Sequence, residues 1–231
     1  MNKVEIKFEN KEIRGVWRDQ ADESVWAEIF KYREYRASED AIKQAKTIFD
    51  IGAHAGFFTL YAKALNPAVK VVCVEPENNN IQTLNKNLEL NSIGDGIKVI
   101  SGALVPKAGR YVLKISQDSH NHQVASKAEG IPKELAQSVV GYTFTKLLKH
   151  TKTVSVDLLK MDIEGYEKDI LEALTQDEWQ AIRNIVLEYH GGDGQRAYAE
   201  AILRKNGFSV LVHPSQFDKT MGIIFARNKK V

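Results

Sequence analysis

A chain of 231 residues with 43% hydrophobic and 27% charged content carries enough apolar material for one sizeable core. Its 15 glycines and five prolines exclude collagen-like and low-complexity architectures. With 32 basic against 30 acidic residues and a net charge of +2, it lacks the basic footprint of an obligate nucleic-acid binder.

No stretch approaches the ~18 apolar residues of a membrane span. Charges fill the opening MNKVEIKFENKEIRG, where a secretory leader needs its apolar core. The single cysteine, Cys73, has no internal disulfide partner, so a cytoplasmic protein is expected.

Residues 1–46 read as an N-terminal cap, with a hairpin in Val4–Trp17 and a helix containing Val25, Trp26, Ile29 and Phe30. From Thr47 short apolar runs alternate with helical patterns, the mark of βαβ units and a mostly parallel sheet. Thr47–Asp50 is the first strand, and Phe57, Leu60, Tyr61, Ala64 and Leu65 form a helical stripe that stops before Pro67. Lys70–Glu75 is the second strand, followed by a helix with Ile81, Leu84 and Leu88 on one face. After a third strand at Ile97–Ile100, Ala103–Val105 and Tyr111–Leu113 flank a turn-like segment and predict a hairpin.

Ser116–Val139 reads as an irregular insertion containing His120 and His122. Val156–Met161 is a strand, Glu167–Leu174 a helix, Ile185–Tyr189 a strand and Arg196–Arg204 a helix capped by Gly207. Phe208–Val212 and Met221–Ala226 close the chain as strands, so residues 47–231 are expected to form one α/β domain. With ligand choice carried by loops, the insertion and the cap are expected to shape the substrate pocket.

Asp50-Ile51-Gly52-Ala53-His54-Ala55-Gly56 lies at the first strand-to-helix junction, where open parallel sheets bind ligands. Glycines there let backbone N–H groups approach an anionic group, and the helix N-terminus favours negative charge. Glu75 follows roughly 20 residues on, at the end of the second strand, where an acid accepts hydrogen bonds from ribose hydroxyls. Asp50, Gly52, His54, Gly56 and Glu75 are therefore the candidate cofactor residues. The Gly-x-Gly-x-x-Gly pattern of dinucleotide enzymes is absent, which disfavours an NAD-dependent oxidoreductase. A non-catalytic nucleotide-binding module is the other alternative.

The chain resembles the FkbM-like family of class I S-adenosylmethionine-dependent methyltransferases across most of Trp26 to Tyr189. Three motifs in order carry the resemblance: Phe49 to Phe58, Val74-Glu75-Pro76, and Val156 to Glu167. Glu28 and Tyr35 resemble the family's segment before its first strand, and His54 stands where the family often has Asn. The resemblance implies a Rossmann-like seven-stranded sheet with a reversed last strand, S-adenosylmethionine over the first loop, and methylation of an oxygen on a small-molecule or glycan acceptor.

Strand alternation puts Lys160 and Asp162 on one face and Glu188 with His190 at the end of the next strand, with Glu164 on the intervening loop. These five are the candidate catalytic residues. His190 or Asp162 would remove the acceptor proton, and Lys160 would stabilise alkoxide charge or orient Asp162. The blander reading pairs Lys160 with Glu167 and uses Asp162 and Glu164 to cap a helix. Asp162, Glu188 and His190 are residue types that suit a divalent cation, yet their spacing matches no recognised metal motif, and no metal is assigned.

Overall fold

The computed structural model describes residues 1–116, 123–125, 130–163 and 166–229. Strands β1 (Asn2–Phe8) and β2 (Lys11–Trp17) pair antiparallel through a turn whose residues, Glu9 and Asn10, both have positive φ, as the right-handed twist of a tight hairpin requires. Helix α1 (Gln20–Trp26) is capped by Asp19 and runs into a π-helical turn, Ala27–Lys31. The single helix expected around Val25–Phe30 therefore changes winding midway, a feature that periodicity does not disclose and that recurs at functional sites. A 3₁₀ turn (Glu34–Ser38) and α2 (Glu39–Gln44) complete residues 1–46.

The alternating region then follows the sequence closely. It comprises β3 (Thr47–Ile51), α3 (Phe57–Leu65), β4 (Lys70–Glu75), α4 (Asn78–Leu90) and β5 (Ile97–Ser101). Next come β6 (Ala103–Leu104), β7 (Gly109–Lys114), β8 (Gln123–Ala125) and β9 (Ala136–Tyr142). The second half contains α5 (Phe144–Thr151), β10 (Leu158–Met161), α6 (Glu167–Ala173), α7 (Gln176–Ala181) and β11 (Asn184–Tyr189). The chain ends with α8 (Gly192–Lys205), β12 (Phe208–Pro214) and β13 (Gly222–Asn228).

The main sheet has the order β12-β13-β11-β10-β3-β4-β5, and β13 runs antiparallel to both neighbours. This is the mostly parallel sheet with a reversed last strand that was expected.

Two expectations in the middle of the chain need correction. The strands around Ala103 and Tyr111 do not form a hairpin, because β9 lies between them, parallel to β6 and antiparallel to β7. Gly141 permits that insertion, since a Cβ there would lie 2.6 Å from Val105 and 2.7 Å from the Tyr111 ring. The Ser116–Val139 segment is also not wholly irregular, for it supplies β8 and the start of β9. His120 and His122 lie outside the described residues.

Alternation through the sheet divides the core. Ile48, Leu158, Val186 and Phe225 face the hairpin, α3 and the cap aromatics Trp26 and Phe30. Phe49, Leu159, Ile185 and Ile224 face α5 to α8. By the same period of two, Asp50, Lys160 and Glu188 belong to the cap face, and the register sets Lys160 directly between Asp50 and Val186. The chemistry-bearing side chains thus converge beneath residues 1–46.

Candidate active site

At the carboxyl edge of β3, β4, β10 and β11 lies a cavity of about 310 Å³, of the size that small-molecule sites occupy. Gly52, His54 and Glu75 line one part of it, and Lys160, Asp162, Glu188 and His190 line another. Asp50 and Gly56 are not among its lining residues. Asp50 is fully buried beneath the loop, where its Oδ2 accepts from the Thr59 hydroxyl at 2.8 Å and its Oδ1 lies 3.3 Å from Lys160 Nζ. Gly56 turns at φ +81° against Leu84. Both shape the loop from below, and Glu164 lies outside the described residues.

The glycine loop is built for close approach. Gly52 has φ +72°, and a Cβ on it would sit 1.8 Å from the Asp162 carbonyl oxygen. Only a glycine lets the loop cross the end of β10 at that separation. His54 also has positive φ, at 50°, and its backbone N–H donates to Glu75 Oε2 at 2.8 Å. Glu75 Oε1 accepts from Glu77 N–H and the Asn80 amide at 2.9 and 3.0 Å. Burial pushes the Glu75 carboxyl up from its ordinary range, and these N–H donors offset part of that cost. The His54 ring points its Nε2 toward the cap, 2.9 Å from Asp22 Oδ1.

Lys160 is nearly buried, and its ammonium donates to the Gly52 carbonyl at 2.7 Å and lies 3.7 Å from Asp162 Oδ2. Burial lowers its affinity for a proton, but the Asp50 and Asp162 charges more than compensate and the ammonium form is favoured. The ammonium sits among the Ile51 and Gly52 carbonyls, at 3.4 and 2.7 Å, and the Asp50 and Asp162 carboxylates, at 3.3 and 3.7 Å. Lys160 thus ties the glycine loop to Asp162. The expected alternative pairing with Glu167 does not occur: Glu167 Oε1 instead accepts from Ile163 N–H at 3.4 Å and lies 3.6 Å from His190 Nδ1.

Asp162, Glu188 and His190 each bring one ligand-type atom within 4.8 Å of the others. Burial, then repulsion from Asp162, raises Glu188 well above the usual carboxylate range. Tyr35, also buried against this cluster, has its phenol pushed up by burial and by the Glu188 and Asp162 charges. Glu28 and Ile29, from the π-helical turn, line the same cavity with Met221 and Tyr166. Tyr166 falls inside the third motif and Met221 begins an expected closing strand, but neither was a candidate site residue, because the place of each in the cavity depends on contacts between distant segments.

A seven-stranded sheet with a reversed last strand, a glycine loop after β3 and an acid ending β4 define a class I methyltransferase, whose methyl donor is S-adenosylmethionine. The chain belongs to the FkbM methyltransferase family, whose domain matches residues 50–214. It is 28% identical over 193 residues to the methyltransferase sdnD of Sordaria araneosa, covering 71% of this chain and 73% of that one. It is 26% identical over 216 residues to the 31-O-demethyl-FK506 methyltransferase FkbM of Streptomyces tacrolimicus, covering 81% and 82%. The N-terminal domain of human METTL16, solved with SAH, shares the fold at a TM-score of 0.53 and 18% identity, covering 86% of this chain and 69% of that one. Among the described residues no helix is long and apolar enough to cross a membrane.

The residues present fit the donor. Gly52 brings backbone free of a side chain to the cavity wall, the Glu75 carboxylate lines it at the strand end, and His54 Nδ1 is buried with no hydrogen-bond partner among the described residues.

Proposed function

We propose that the protein methylates a hydroxyl oxygen of a sugar, glycolipid or other small metabolite in the cytoplasm. The observation that carries the reading is that Asp162, Glu188 and His190 share one cavity with Gly52, His54 and Glu75. Proton acceptors and donor-binding groups thus meet in one enclosure. Bound there, S-adenosylmethionine supplies an electrophilic methyl group on a sulfonium. Glu75 would hold the ribose through its hydroxyls, and the Gly52 to His54 backbone would hold the methionine end.

Asp162 or His190 takes the proton from the acceptor hydroxyl, and Lys160 fixes Asp162 in place. Holding the two reactants together supplies much of the remaining acceleration. The relative named for a 31-O-demethyl substrate supports oxygen as the methylated atom. A free buried Cys73 agrees with a reducing compartment. We divide the chain into a cap, residues 1–46, and a methyltransferase domain, residues 47–231, with an insertion at about 116–139 that shapes the acceptor pocket.

Incubating the protein with a metabolite extract and trideuteromethyl-labelled donor is expected to place the label on oxygen in a neutral hydroxylated product. Chelation is expected to leave the rate unchanged. Label on nitrogen or carbon would contradict the reading. Loss of activity on chelation, restored by Mg or Mn, would turn the Asp162–Glu188–His190 cluster into a metal centre.

A further inference from the structure

The cap meets the donor loop at a polar cluster of Arg18, Asp22 and His54. Asp22 on α1 is fully buried, and its Oδ2 accepts from the backbone N–H and Nε of Arg18, each at 2.8 Å. Its Oδ1 accepts from Arg18 Nη2 at 2.7 Å and lies 2.9 Å from His54 Nε2. Burial opposes the charge on Asp22, but hydrogen bonds from Arg18 and His54 hold its carboxyl well below the usual carboxylate range. Arg18 Nη2 also lies 3.2 Å from His54 Nε2, but it donates to Asp22 Oδ1 at the shorter 2.7 Å; because an ionised carboxylate only accepts hydrogen bonds, the closer Asp22–His54 contact at 2.9 Å places the hydrogen on Nε2. In the neutral ring Nδ1 is then a bare acceptor. His54 lines the cavity, and Nδ1 is buried with no partner among the described residues.

We propose that Asp22 is a positioning residue for the methyl donor: it fixes His54 as the Nε2–H tautomer, so that Nδ1 accepts a hydrogen bond from a ribose hydroxyl or the ammonium of S-adenosylmethionine. The cap is in this way a working part of the donor site. The inference rests on the donor placement proposed above. It also gives His54 a role that its backbone contact with Glu75 does not.

The test is the double variant Arg18→Met/Asp22→Leu, which removes both buried partners together and leaves no unpaired guanidinium. Nitrogen NMR of the ligand-free protein above pH 8 is expected to show Nε2–H for His54 in the wild type and a mixture of tautomers in the variant. Affinity for S-adenosylhomocysteine is expected to fall on the order of tenfold. An equal fall for methylthioadenosine assigns the bond to the ribose, and a fall for S-adenosylhomocysteine alone assigns it to the ammonium.

Unchanged affinity for both ligands, or an unchanged tautomer, would overturn the role of Asp22 and leave it a structural ion pair. If the double variant does not fold, Arg18→Lys, which loses the two-point clasp but keeps the charge, gives the same readouts at smaller amplitude. Failure of the wild type itself to bind S-adenosylhomocysteine would instead overturn the donor placement.

Discussion

Asp162→Asn and His190→Ala are expected to separate turnover from donor affinity. Loss of the group that takes the acceptor proton should lower kcat by about 10²–10⁴, the usual contribution of a positioned base, with affinity for S-adenosylhomocysteine nearly intact. Asp162 is the more open of the two, its side chain 28% exposed, and Lys160 holds it from behind. His190 sits between Glu167 and Glu188, at 3.6 and 3.7 Å, which restrains the ring within the cavity wall. Single-turnover rates with each variant identify which one accepts the proton. Full turnover by both would remove proton transfer from the account and leave proximity as the main source of rate.

The second large effect is structural. Gly52→Ala puts a methyl group 1.8 Å from the Asp162 carbonyl oxygen, on a residue at φ +72°. Neither strand end yields easily, because Gly52 N–H donates to Val74 O at 2.9 Å and Asp162 N–H to Ile51 O at 3.2 Å. Overpacking and left-handed strain together are expected to cost about 2–4 kcal/mol. The melting temperature should fall by roughly 5–15 °C for a chain of this size. The folded fraction should also bind the donor more weakly, because the loop is displaced from β10. A variant with wild-type melting and wild-type affinity would show that the loop does not cross Asp162 as described.

Much of this arrangement was legible in the sequence because it depends on local period. The alternation of Lys160 with Asp162 and of Glu188 with His190 placed them together as soon as β10 and β11 were known to be neighbours. The glycine loop and Glu75 were legible for the same reason, since both sit at strand ends that the apolar runs mark. Helix α5 went unread although Thr143 caps it and Phe144 and Leu147 are buried, because an eight-residue stripe gives a weak periodic signal.

Partners across long separations were hidden. Lys160 chooses Asp50 and the Gly52 carbonyl over Glu167, and only the pairing of β3 with β10 dictates that choice. The link from Asp22 to His54 is of the same kind, as is the insertion of β9 between β6 and β7.

The central claim is that one cavity has a donor end at Glu75 and an acceptor end at His190. Its most direct test is calorimetric titration of the wild type, Glu75→Ala and His190→Ala with S-adenosylhomocysteine and with NAD. The wild type is expected to bind S-adenosylhomocysteine and not NAD, Glu75→Ala to lose most of that affinity with its ribose hydrogen bonds, and His190→Ala to keep it. Equal affinity for NAD, or binding that survives in Glu75→Ala and disappears in His190→Ala, would contradict this division of the site.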